Sequence, residues 1–168
     1  MDYIAHYNSP LGSITMASEG TALVGLWFDG QKYFADGLDP VHVERPDLPI
    51  FEQTRRWLDV YFGGKEPDFT PPIVMRTRSD FRRQVWELLL TIPFGHTLSY
   101  GAIARLIAAT YGLSSMSAQA VGGAVGHNLV SLIIPCHRVV GVNGSLTGYA
   151  GGVERKARLL KMEGVTAS

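Results

Sequence analysis

A single cysteine in 168 residues excludes an intramolecular disulfide and any cysteine-cluster zinc site. Long apolar runs are missing too, and none approaches the roughly 18 residues that a membrane span needs. Met1-Asp2-Tyr3-Ile4 lacks the basic-then-apolar pattern of a secretory leader. These absences lead to the expectation of a cytoplasmic chain in a reducing compartment, away from membranes. There is no internal repeat, no low-complexity tract and no glycine-rich phosphate loop of the Walker or dinucleotide type, so no cofactor and no metal are expected.

Net charge is also absent, with 15 basic and 15 acidic side chains. The balance hides an asymmetry. Residues 1–75 hold five basic and eleven acidic groups, and residues 76–168 hold ten basic and four acidic. A half with a net charge of +6 suits a polyanion, although scattered solvated charges would give the same count.

The order of elements reads as α+β. Tyr3–Tyr7, Ser13–Ala17 and Ala22–Phe28 are spaced as three antiparallel strands, separated by turn residues. Residues 36–49, with Pro40, Pro46 and Pro49, read as a surface loop. Ile50–Phe62 reads as a helix, with Phe51, Thr54, Leu58 and Tyr61 near one face. The proline-rich segment 65–72 suggests a linker, and hence domains over 1–75 and 76–168. The second domain is helical. Ser79 and Ser99 are candidate caps for helices to about Thr91 and Ala109, a third helix spans Ser117 to about Val125, and a last helix spans Glu154–Glu163. The pair formed by the Ser99 and Ser117 helices has helix-turn-helix spacing, a weak signal by itself. Gly122-Gly123 is costly inside a helix and calls for close approach of another surface, whether a packed helix or a ligand.

The chemistry concentrates in Ile134-Pro135-Cys136-His137-Arg138-Val139. A thiol is a strong nucleophile as the thiolate, and neighbouring basic groups make that form accessible. Pro135 stops Leu132-Ile133-Ile134 from continuing as a strand and sets the cysteine at its end. Adjacency alone favours a buried, inert cysteine over a reactive one.

A wider set of residues narrows this. Ile133 to Val140, with Ala120-Val121-Gly122-Gly123-Ala124 and Asn128 before it, resembles the O6-alkylguanine-DNA alkyltransferases (methylated-DNA–protein-cysteine methyltransferases). So do Gly148-Tyr149-Ala150-Gly151-Gly152, the stretch Leu159-Leu160 to Glu163, Phe81 to Trp86, and Ser99-Tyr100. The likeness is looser at Ser9 to Gly12 and Gly25 to Phe28. It implies a ribonuclease H-like N-terminal sheet domain with a helix, and a C-terminal helix-turn-helix domain. It further implies single-use, irreversible transfer of an alkyl group from guanine O6, and less readily from thymine O4, to Cys136.

In that reading His137 is a base acting through water, Glu163 orients it and Asn128 supports the turn. Tyr100 donates a proton to the leaving base, a role that its ordinary pKa near 10 suits. Val139, Tyr149, Ala150 and Gly151 hold the base. Ser117, Ala118, Gln119, Gly122 and Arg138 contact double-stranded DNA from its minor groove, with the nucleotide flipped out by a monomeric protein. Two departures stand out. Gln119 occupies a place where many members have arginine, and the connection Ile107–Met116 is longer than in many. The rival readings are a Cys-His hydrolase that turns over, and a module that binds alkylated DNA without repairing it.

Overall fold

The computed structural model describes residues 1–165, which form two compact units. The first comprises Met1–Arg76 and Leu129–Ile133; the second comprises Thr77–Asn128 and the chain from Ile134 onward.

The first unit is a sheet of β1 (Asp2–Ser9), β2 (Gly12–Ser18), β3 (Leu23–Phe28) and β4 (His42–Glu44), in the order β3-β2-β1-β4. β1, β2 and β3 are antiparallel, as their turn chemistry suggests. At the first turn Ser9 Oγ donates to the Gly12 carbonyl (2.6 Å), and at the second the Glu19 carboxylate accepts from the Thr21 and Ala22 amides (both 2.6 Å). β4 corrects the expectation of a loop over 36–49: it pairs parallel with β1 at Asp2–Ile4, so the sheet is mixed. Its three exposed residues carry no buried face, and without one there is no period to read. Asp2 anchors this edge. It is buried and accepts from both Arg76 guanidinium nitrogens (2.5 and 2.8 Å) and from the Asp39 amide (2.9 Å). Those bonds, led by that of Arg76, hold its carboxyl below the usual range.

β3 is last in the sheet order, yet every residue in it is buried. Short segments complete it. Leu23 bonds Pro72 and Val74, and Leu26 bonds Leu129 and Ser131 (2.8–2.9 Å). The latter segment ends differently from its sequence reading. Leu132-Ile133-Ile134 is a turn rather than a strand, with Leu132 at φ +72° and Ile133 N–H bonded to Ser131 O. α1 (Pro49–Phe62) buries Ile50, Phe51, Thr54, Trp57, Leu58 and Tyr61, the 3–4 spacing of one face. Its exposed edge meets β1, where Tyr7 donates to Asp59 (2.6 Å).

Gly25 faces the Trp27 ring one step along the same side of β3. A Cβ there would stand 1.9 Å from ring carbon Cη2 of a side chain that is itself buried among Ala17 and Val24. Gly25→Ala is therefore expected to cost about 1–3 kcal/mol through overpacking. Urea unfolding checks this, and an unchanged midpoint would contradict it.

In the second unit, α2 (Asp80–Leu89) and α3 (Tyr100–Thr110) start after the serines expected to cap them, and α4 (Ala118–Gly126) starts after Ser117, which is its cap and not its first residue. Ser79, Ser99 and Ser117 Oγ accept from the amides of Arg82, Ala102 and Ala120. Trp86 of α2 donates its indole N–H to the Ala124 carbonyl of α4 (2.8 Å). α3 ends in a Schellman cap, with Gly112 at φ +67° and Leu113 N–H bonded to Ala108 O (2.8 Å). β5 (Leu98–Ser99) pairs parallel with β6 (Val139–Val140), which follows a single 3-10 turn, Cys136–Arg138. That pairing sets Tyr100, the first residue of α3, beside the cysteine turn. α5 (Val153–Met162) closes the unit, with Glu163 as its C-cap. Among the described residues no helix is long and apolar enough to cross a membrane.

Candidate active site

Cys136 is a free thiol, 4% exposed, on the first residue of the 3-10 turn. Asn128 shapes this turn from the end of α4, its side-chain amide donating to the Ile134 carbonyl (2.8 Å). Burial pushes the thiol pKa up. The Asn128 side chain, the Lys156 charge and the Cys136 and His137 amides oppose that rise. At rest the thiol is held protonated and away from bulk solvent.

His137 is fully buried, and its Nε2 lies 2.6 Å from Glu163 Oε2. A carboxylate can only accept, so Nε2 carries the hydrogen and Nδ1 is left as the basic nitrogen. Burial lowers the imidazole pKa, and the bond to Glu163 opposes this without reversing it. The resting pair is therefore a neutral thiol and a neutral imidazole. Glu163 also accepts from Arg138 Nε (2.9 Å), Arg138 Nη2 (3.3 Å) and the Gly95 amide (3.0 Å).

Arg138 corrects one expectation. Its guanidinium is buried against Glu163 and the Ile92 carbonyl (2.8 Å), turned inward and away from any phosphate. The same holds for the charge count. Of the ten basic groups in the second half of the sequence, Arg76 is tied to Asp2, Arg138 to Glu163, and Lys156 is buried.

Tyr149 is 8% exposed, its ring edge-on to the His137 ring at 6.5 Å, and its hydroxyl has no hydrogen-bond partner among the described residues. Gly151 lets it lie there, since a Cβ at that position would stand 2.5 Å from the tyrosine ring. Val139 is buried in β6, and Ala150 is half-buried beside Tyr149. Tyr100 donates its hydroxyl to the Thr147 carbonyl (3.0 Å). Its pKa is not the ordinary value near 10. Burial, and then the nearby Cys136 charge, push it up to about 12.

A cavity of about 690 Å³ opens between the start of α3, the start of α4 and the segment 141–148. Tyr100, Arg105, Ala118, Gln119, Gly122 and Thr147 are among its lining residues. Ser117 caps α4 beside it, while Cys136 does not line it. The thiol lies in the interior, and Tyr100, which does line the cavity, is close enough to feel its charge. Gly122 meets Tyr100 at ordinary contact, and a Cβ on Gly123 would meet nothing within 4 Å. Close helix packing therefore does not account for the second glycine.

Sequence reasoning passed over Lys156. A signal was there, because Lys156 stands three and four residues before Leu159 and Leu160, on the buried face of α5.

Comparison with known proteins gives this site its context. The 6-O-methylguanine DNA methyltransferase DNA binding domain matches residues 80–165, and the ribonuclease-like domain of the same name matches residues 3–74. The methylated-DNA–protein-cysteine methyltransferase of Mycobacterium bovis is 41% identical over 162 residues, covering 94% of this chain and 92% of its own. The constitutive one of Bacillus subtilis is 33% identical, covering 99% and 98%. The crystal structure of Mycobacterium tuberculosis OGT in complex with DNA aligns with a TM-score of 0.82 at 38% identity, covering 96% of this chain and 92% of that one. The chain belongs to the methylated-DNA–protein-cysteine methyltransferase family.

Proposed function

We infer that the chain repairs alkylated DNA directly, moving the alkyl group from guanine O6 to Cys136 Sγ. The observation that carries this reading is a buried thiol in one turn with a neutral histidine whose far nitrogen is held by Glu163. Sγ attacks the alkyl carbon and forms a thioether as the carbon–O6 bond breaks. The thiol proton passes through water to His137 Nδ1, and the guanine anion takes up a proton. Tyr100 supplies that proton late. Burial raises its pKa most and the charge of the thiolate, once formed, adds to this; conversion of the thiolate to a neutral thioether removes that second contribution as the guanine anion forms. The unpartnered Tyr149 hydroxyl suits a polar edge of the base. A thioether is stable, so each molecule acts once.

The lesion reaches the thiol by flipping out of the duplex, at a few kcal/mol. The small residues Ala118, Gly122 and Gly123 let α4 approach the minor groove, with Gln119 at the gap left behind and Ser117 beside it. The protein acts as a monomer of two domains, 1–75 and 76–168 save for Arg76 and Leu129–Ile133, which belong with the first, in the cytoplasm, where the thiol stays reduced.

The test is stoichiometry with duplex lesion in excess. The expected result is loss of one lesion per chain and then none. Continued turnover would favour the Cys-His hydrolase, and binding without loss would favour the recognition module. Gln119→Arg adds a cation at the cavity. It is expected to tighten duplex binding about threefold or more and to steepen the salt dependence by about one ion. Titrations across a salt series check this, and an unchanged slope and affinity would show that Gln119 lies off the DNA path.

A further inference from the structure

Lys156 is a cation that the transfer just described does not use. It is 0% exposed. No carboxylate pairs with it among the salt bridges of the described residues. Its Nζ donates to the Thr147 carbonyl (2.9 Å) and lies 5.7 Å from the centre of the Tyr100 ring. Lysine is rarely buried without a charged partner, because its ammonium loses hydration that one carbonyl does not replace. The same Thr147 oxygen accepts from Tyr100 at 3.0 Å. One carbonyl thus ties α5, α3 and the loop that carries Tyr149 into a single contact. The ionisable groups around this ammonium are Cys136 and His137 from the 3-10 turn and Tyr100 from α3. Among the described residues no acid faces it.

We propose that Lys156 is a positioning residue for alkyl transfer: sharing the Thr147 carbonyl with Tyr100, it holds the Tyr149 loop and the phenol in place, and its ammonium is the counter-charge against which the Cys136 thiolate forms. The proposal rests on Cys136 being the acceptor. Three consequences follow. Burial brings the Lys156 pKa down to about 8, so the counter-charge is present at neutral pH and is lost as pH rises through that value. Its removal raises the thiol pKa, since the Lys156 charge lowers it. Its removal also frees one of the two ties on Thr147.

The experiment compares wild type with Lys156→Met and Lys156→Arg. It reads single-turnover transfer, duplex affinity, and the ultraviolet titration of the thiolate without DNA. Lys156→Met is expected to slow transfer about 10–100-fold and to cut the thiolate fraction at fixed pH about tenfold, with duplex affinity within about twofold. Wild type is expected to lose transfer rate above about pH 8, whereas Lys156→Arg, which keeps a charge at every working pH, is expected to lack that decline. An unmoved thiolate titration in Lys156→Met overturns the proposal. If that variant does not fold, an unchanged alkaline decline in Lys156→Arg overturns it instead. The titration needs no substrate, so it separates failure of this proposal from failure of Cys136 as the acceptor.

Discussion

Replacing Cys136 with serine is expected to abolish alkyl transfer, a loss of more than about 10⁴-fold, while duplex binding persists. The hydroxyl differs from the thiol by one atom and fits the same buried place. It is a far weaker acid, however, and the base available to it is an imidazole whose own pKa is already lowered by burial. The Asn128 side chain and the Lys156 charge favour an anion there, but they do not offset even the burial of the more acidic thiol. Single-turnover assays on a duplex carrying the lesion check this, with binding to the same duplex as the control. Retained transfer would move the acceptor elsewhere. Lost binding would mean that the substitution has damaged the fold and not the chemistry alone.

Replacing Glu163 with alanine is expected to cost both stability and rate. Its side chain has no exposed surface and accepts from His137, twice from Arg138 and from the Gly95 amide. Without it Arg138 keeps the Ile92 carbonyl but loses its counter-ion in a buried place, a change that costs about 3–5 kcal/mol. The His137 ring also loses the acceptor that fixes which nitrogen is basic, so transfer is expected to fall about 10²–10⁴-fold. Urea melts and single-turnover rates report the two effects separately. Glu163→Gln keeps an acceptor and should recover part of the stability. A stability loss under 1 kcal/mol in Glu163→Ala would contradict the buried-pair reading. His137 adds a pH signature. Its folded pKa lies below the ordinary 6.5, so the unfolded chain takes up the first proton, and stability falls as pH drops below about 6.5.

What could be read in advance follows the range of the physics involved. Helix starts are local events, and a serine ahead of an apolar period was enough to place the beginnings of α2 and α3. The cysteine motif is also local, because proline, cysteine and histidine are covalent neighbours. The pairing of His137 with Glu163 spans 26 positions and came from family resemblance rather than spacing. Three features lay beyond either route. β4 has three exposed residues and is held by its pairing with β1, so it has no pattern of its own. Arg138 was expected on DNA from the resemblance, and only the position of Glu163 turns it inward. Tyr100 was assigned an ordinary phenol pKa, because burial is a tertiary property and burial moves it most.

The central claim is that Cys136 is itself the acceptor. The most direct measurement is the mass of the peptide that contains Cys136 after reaction with a duplex carrying O6-methylguanine. The account predicts a gain of about 14 Da on Cys136, the mass of one methylene, in proportion to the lesions lost. An unmodified Cys136 beside consumed lesion, or the added mass on another residue, would contradict it.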